Sequence, residues 1–203
     1  METYVVKKEK DFEKIKDENG YSYKGNLRIE CNLKFIGRLY VEGYLYINAG
    51  GSIKAGGSIE AGDSIEAGGS IEAGGSINAG GSIEAGGSIN AGDYIEAGGS
   101  IKAGGSIGAG GSIEAGGSYG ISAGLSITCK GKLIYGLKCF AGICTWRSIT
   151  DNEKTITCGK HEGGVVEYGI LKEIGLEKSK TIISRESALS MLKTKYNEDF
   201  EIA

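Results

Sequence analysis

The chain has 203 residues, enough for one elongated domain with small end pieces, and its 37 Gly without a single Pro exclude a collagen helix and a proline-rich linker. Only 8% of it is aromatic, so an ordinary globular core would lack its large anchors, whereas a stack of small identical layers needs none. The net charge of −3 is uneven: residues 51–116 carry two Lys against six Glu and two Asp, and the flanks are mildly basic.

In chain order, residues 1–24 are charged and mixed. They read as an N-terminal cap or arm, with a helical stretch from Asp11 to Glu18. They hold no apolar signal run, and no segment approaches the roughly 18 apolar residues of a membrane span. The expected setting is a bacterial cytoplasm, with no membrane partner and with the five irregularly spaced Cys as reduced thiols.

Residues 25–145 carry the dominant signal. From Ile53 to Ile113 an Ile recurs every six positions, each followed two places later by Ala, in the unit Gly-Gly-Ser-Ile-x-Ala. A helix of 3.6 residues per turn would smear these Ile around its surface. In short strands, Ile and Ala point to one side while Ser and the variable residue point to the other. The Gly pairs are expected to supply corners through their backbone freedom. Single hexads cannot close a core, so three per coil are expected: an all-β triangular β-helix, or β-solenoid, with about 18 residues per coil and five to six coils over residues 27–128.

Upstream, the pairs Leu27/Ile29, Leu33/Phe35, Leu39/Val41 and Leu45/Ile47 are expected to hold the same register, with Cys31, Gly37, Gly43 and Ala49 in the alanine slot. Downstream, Tyr119-Gly120 reads as a two-residue insertion, after which Ile121/Ala123 and Ile127/Cys129 resume the pattern. Beyond Leu133 the regularity decays. Residues 146–203 are expected to form a small α+β region that serves as a cap or as an interaction or dimerisation domain. In it, 154–159 and 164–171 make a β-hairpin around the turn holding His161, and a short helix capped by Ser184 carries Ala188, Met191, Leu192 and Tyr196 on one side.

An 18-residue coil stacks the variable positions into columns. One reads Glu60, Asn78, Glu96, Glu114, a second Glu66, Glu84, Lys102, and a third Lys54, Glu72, Asn90, Gly108, so one edge is distinctly acidic. Tyr40, Tyr46 and Tyr94 point outward, Tyr40 and Tyr94 in one column, and Asp93-Tyr94 is the one hexad with an aromatic in the Ser slot. Exposed Tyr is a common interface anchor. Trp146, Arg147, His161 and Tyr168 mark the unrepeated C-terminal part, where specific recognition concentrates.

Catalytic and metal chemistry have little purchase. Cys139, Cys144, Cys158 and His161 can be forced into a metal set, but only Cys158/His161 has the close spacing of zinc ligands, and no cofactor is expected. Gly-x-x-x-x-Gly is unavoidable in a six-residue repeat, and no Lys-Ser or Lys-Thr follows it as in a phosphate-binding loop. Charged residues break the flat Thr-like array that an ice-binding face would need.

The repeat resembles the hexapeptide solenoids, many of which are acyltransferases with a solenoid-borne His as general base. The repeat of this chain has no His, and Gly or Asp (Asp63, Asp93) stands where that family has Ser, Thr, Ala or Val, so no enzyme is expected. The run Gly37 to Ile47 leading into the Ser-Ile-x-Ala rungs resembles bactofilins, which implies a self-assembling cytoskeletal scaffold. The perfect repeat with an unrelated tail also resembles phage and mobile-element solenoids, including anti-CRISPR and other anti-defence inhibitors. The expectation is a non-catalytic interaction protein that obstructs a macromolecular partner, a protein or nucleic-acid-handling effector, with homo-oligomer contacts through the C-terminal region. A scaffold and an acidic nucleic-acid mimic are the alternatives, and the acidic rod itself is not expected to bind nucleic acid.

Overall fold

Two apolar residues separated by one polar residue, repeated every six positions, leave each strand only three residues long, such as Ile53–Ala55. Such a strand is stable only if it pairs on both edges and buries one face, and stacking coil on coil does both. The computed structural model, which describes residues 1–174, is an all-β solenoid of about nine turns with about 18 residues per coil. At roughly 4.8 Å per turn the stack is about 40 Å tall. It is longer than the five to six coils expected, because it begins before residue 27 and continues beyond 128.

Three flat faces make up the triangle. Face 1 opens with Thr3–Val6 and continues through Asn26–Ile29, Leu45–Ile47, Ile65–Ala67, Ile83–Ala85 and Ile101–Ala103 to Ile121–Ala123. Face 2 opens with Gly20–Tyr23 and runs through Arg38–Val41, Ile59–Ala61, Ile77–Ala79 and Ile95–Ala97 to Ile113–Ala115. Face 3 opens with Leu33–Phe35 and runs through Ile53–Ala55, Ile71–Ala73, Ile89–Ala91 and Ile107–Ala109 to Ile127–Cys129. All these pairings are parallel and in register, so each Ile stacks on the Ile one coil away. The repeat Ile side chains are 0–1% exposed, each contributing about 1.5–3 kcal/mol of burial.

The serines do more than look outward. They are partly buried at the corners, where most of their hydroxyls accept the backbone N–H of the residue one coil further on: Ser70 to Ser52 at 2.9 Å, Ser88 to Ser70 at 3.1 Å, Ser100 to Ser82 at 3.1 Å. Where the chain bends away from the strand ladder, Ser thus supplies the acceptor that the bend removes. Asn32 plays the same part at the first coil, accepting the N–H of Ser52 at 2.8 Å.

The repeat glycines also have a different role from the one expected. From Gly56 to Gly117 none of them has a positive φ. From Gly62 onward the first Gly of each pair is required by close approach: a Cβ on Gly74 would collide with the carbonyl oxygen of Gly56 one coil below, whereas one on Gly56 itself would meet nothing nearer than 3.4 Å.

Upstream the register is shifted by two from the expected one. Leu27, Leu33, Leu39 and Leu45 occupy the isoleucine slot, and Ile29, Phe35, Val41 and Ile47 the alanine slot. Cys31 lies at a half-buried corner. The cause is a two-residue insertion at Asn48–Gly51, where Gly51 donates to the Asn48 carbonyl and Gly50 turns with φ +78. The offset between neighbouring coils steps from 18 to 20 across it, and again across Tyr119-Gly120, where an insertion was expected.

The N-terminal end is closed. The helix is shorter than expected, covering Glu9–Phe12 with a 3-10 turn Glu13–Ile15, and it lays Phe12 over the first coil, 4.0 Å from Tyr21 and 4.8 Å from Phe35 between ring centroids. At the other end the solenoid continues. Lys132–Ala141 crosses a corner without a break, pairing with face 2 through Leu133 and with face 1 through Cys139. Thr155–Cys158 and Ile170–Glu173 extend face 3, and Lys160–Tyr168 stacks on Lys132–Ala141, all in parallel. The expected hairpin is therefore absent: its two segments lie on different coils, because the 159–164 stretch runs on as strand instead of reversing. The helix expected from Ser184 lies outside the described residues.

Candidate functional site

Alternation places the middle residue of every strand outward, so each face shows one column. Face 1 reads Arg28, Tyr46, Glu66, Glu84, Lys102, Ser122, Phe140. Face 2 reads Tyr40, Glu60, Asn78, Glu96, Glu114. Face 3 reads Lys34, Lys54, Glu72, Asn90, Gly108.

The three columns differ in charge balance. On face 3 Lys54 pairs with Glu72, and on face 1 Lys102 pairs with Glu84 at 2.8 Å. Along face 2, among the described residues, Glu60, Glu96 and Glu114 have no ion-pair partner within 4.0 Å. Stacked like charges one coil apart repel, and Asn78 relieves the column at its middle. The same carboxylates line a shallow groove of about 670 Å³ that follows the glycine corner from Tyr40 to Glu114. Four coil steps make it about 19 Å long.

The other expected contact residues divide among separate places. Tyr46, Glu66 and Glu84 share face 1, where the Arg28 guanidinium stands 5.9 Å from the Tyr46 ring. Tyr94 is 50% exposed at the corner between faces 3 and 2, beside Asp93, with its ring over Gly111 of the next coil. It does not share a column with Tyr40: the insertion at Asn48–Gly51 moves Tyr40 into line with Glu60, while Tyr94 follows Ser76. Tyr168 extends the face 1 column above Phe140, so that this face turns from charged to apolar toward its C-terminal end.

Trp146 and Arg147 stand on the loop that leaves face 1 after Ala141. The indole is 63% exposed and lies against the corner at Gly124. Arg147 pairs with Glu153, which also accepts the Thr150 N–H at 3.0 Å in a capping box for the 3-10 turn Asp151–Lys154. The Arg147 guanidinium, helped by the Thr150 N–H, holds the Glu153 carboxyl down to about 2, from a usual 4.5. A carboxyl that titrates lower when folded stabilises fully above its unfolded value and loses that contribution as pH falls through its folded one. The fluorescence of Trp146, the sole Trp, is therefore expected to change between about pH 4.5 and 2, and Glu153→Gln to remove the change.

His161 points inward, not toward a partner: it stacks on Leu133 in the last coil, 5.3 Å from the Tyr135 ring between centroids. Its Nε2 is buried without a hydrogen-bond partner among the described residues. Cys139, Cys158 and His161 belong to three different faces, and among the described residues no group of three or more His, Cys, Asp or Glu is arranged to hold a metal ion. Burial pushes the Cys129 and Cys139 thiols up to about 12, which keeps them protonated packing groups. No described helix is long and apolar enough to cross a membrane.

A family model described as haemagglutinin repeat matches residues 40–95 and again residues 73–134. The rod is similar to that repeat. Both matches lie within the solenoid, and together they span the whole acidic column. No curated protein and no solved structure matches the chain.

Proposed function

We propose that this protein is a non-catalytic binding rod whose face 2 meets a positively charged macromolecular surface and obstructs it. One observation carries the reading: among the described residues the face 2 column holds three carboxylates without ion-pair partners, against Glu66 alone on face 1 and none on face 3, and all three line one groove along which a partner can lie. Exposed, uncompensated charge favours encounter and orientation over tight affinity. Parallel ladders hold Glu60, Glu96 and Glu114 at coil spacing, so little ordering is needed before binding. Tyr40, 38% exposed, adds an aromatic anchor at one end of the groove. The similarity to a haemagglutinin repeat, a name that denotes binding to cells, agrees with a role in binding.

The sharper form of the reading makes the partner a nucleic-acid-handling effector, whose phosphate-binding surface carries the required Lys and Arg, as in an anti-defence inhibitor of the anti-CRISPR kind. A bactofilin-like scaffold needs two joinable ends, and the Phe12 cap over the first coil weighs against it. Carbodiimide joins carboxylates to lysine amines at zero length, so it tests the surface directly. Affinity capture from a host extract followed by this coupling is expected to link Glu60, Glu96 or Glu114 to lysines of one partner. Links confined to faces 1 and 3 would contradict the proposal.

A further inference from the structure

Face 1 carries a pattern that the other two faces lack. From the N-terminal end its outward column is Arg28, Tyr46, Glu66, Glu84, Lys102, Ser122 and Phe140, with Tyr168 stacked above Phe140. Reversed about the midpoint between Glu84 and Lys102 and laid on a second copy, this column matches itself. Glu84 meets Lys102 twice, Glu66 meets Ser122, Tyr46 meets Phe140 and Arg28 meets Tyr168, so no like charges stand opposite. The last two pairs join ring to ring and guanidinium to ring. Face 2 fails the same operation: reversed about Asn78, its middle, it sets Glu60 against Glu96 of the other copy. On face 3 the match of Lys54 with Glu72 ends one step further, at Lys34 against Asn90, where the column begins.

Face 1 also offers a seat for the partner. Beside Lys102, Ser122 and Phe140, exposed Leu137 helps to line a largely apolar groove of about 330 Å³. In the reversed alignment Tyr46 of the second copy comes down on it. The matching strands span seven coil steps, about 34 Å, and a coil side of six residues is roughly 19 Å wide. That is about 650 Å² on each copy and about 1,300 Å² in total, within the range of stable interfaces.

We propose that the protein is a homodimer of antiparallel rods packed face 1 to face 1, with the two-fold axis between Glu84 and Lys102. A two-fold axis makes every contact occur twice, which a self-matching column satisfies without a second patch. Both face 2 grooves stay free on the outside of such a dimer, so a partner with two basic sites would be held by both.

Sedimentation velocity on the full chain tests this. Wild type is expected to be dimeric at about 10 µM. Lys102→Glu sets a second carboxylate against Glu84 of the other copy, and Glu84→Lys sets a second amine against Lys102. Each variant alone is expected to self-associate at least about tenfold more weakly. An equimolar mixture of the two is expected to regain wild-type association as a heterodimer, because every opposed pair again has opposite signs. Within each variant chain, residues 84 and 102 remain of like sign, so recovery on mixing comes only from contacts between chains. The pair is exposed, so both variants keep the fold. A wild type that stays monomeric up to about 100 µM would overturn the proposal. So would self-association that neither variant weakens, or a mixture that associates no better than its parts.

Discussion

Gly74→Ala is expected to lower the stability of the rod by about 3 kcal/mol, the upper end of overpacking penalties, while Gly75→Ala next to it costs about 1 kcal/mol. The difference lies in what each new methyl meets. On Gly74 it would strike the carbonyl oxygen of Gly56, part of the backbone one coil below, and relief requires the coils to separate. On Gly75 it would meet the Ser58 hydroxyl at 2.6 Å, a side chain that can turn away at the cost of its hydrogen bond from the Ser76 N–H. The chain itself carries the same lesson, since Asp63 and Asp93 stand at second-glycine positions while Gly holds every first position from Gly56 to Gly116. Urea midpoints of the two variants decide it, and equal shifts would mean that the first glycine is not set by coil-to-coil contact.

The fold was legible where side-chain period and coil geometry coincide. Ile and Ala two apart every six residues forced short stacked strands, and the columns through Glu60, Glu66 and Lys54 follow from that period alone. The upstream register is not legible in the sequence period, because Ile29, Phe35, Val41 and Ile47 keep the same six-residue phase as Ile53, which hides the insertion at Asn48–Gly51. A pair of large residues, Leu then Ile or Phe, marks a wider first part of the core in which the alanine slot is also large. That was the signal for the shift.

The C-terminal coils are hidden in the sequence for a related reason. Ile121, Ile127, Leu133 and Cys139 are still six apart, each with a small or aromatic inward partner two places on, but the glycine pairs that had marked the corners are gone. Lys132–Ala141 rounds its corner as continuous strand, and the 142–154 excursion then breaks the count before Ile156. Ion pairing is invisible to periodicity altogether. That Lys54 and Lys102 neutralise faces 3 and 1 while face 2 keeps its charge emerges only when the columns are stacked in register.

Face 2 as the binding surface also makes the second large prediction. Glu60→Gln/Glu96→Gln/Glu114→Gln removes three charges from one face, and a control, Glu66→Gln/Glu72→Gln/Glu84→Gln, removes three from the other two. Exposed pairs contribute roughly 0.2–1 kcal/mol each, so losing a converging set is expected to weaken binding of a basic ligand about tenfold or more. The effect should fade as salt screens it. Glutamine keeps the size and the strand, so neither variant should alter the stability read from urea unfolding by more than about 0.5 kcal/mol.

The most direct measurement is calorimetric titration of deca-lysine into the wild-type protein and both triple variants at low ionic strength. The face 2 variant is expected to lose about tenfold in affinity, against threefold or less for the control. Equal losses in the two would show that deca-lysine senses only net charge, and face 2 would then be no more than a solvated surface.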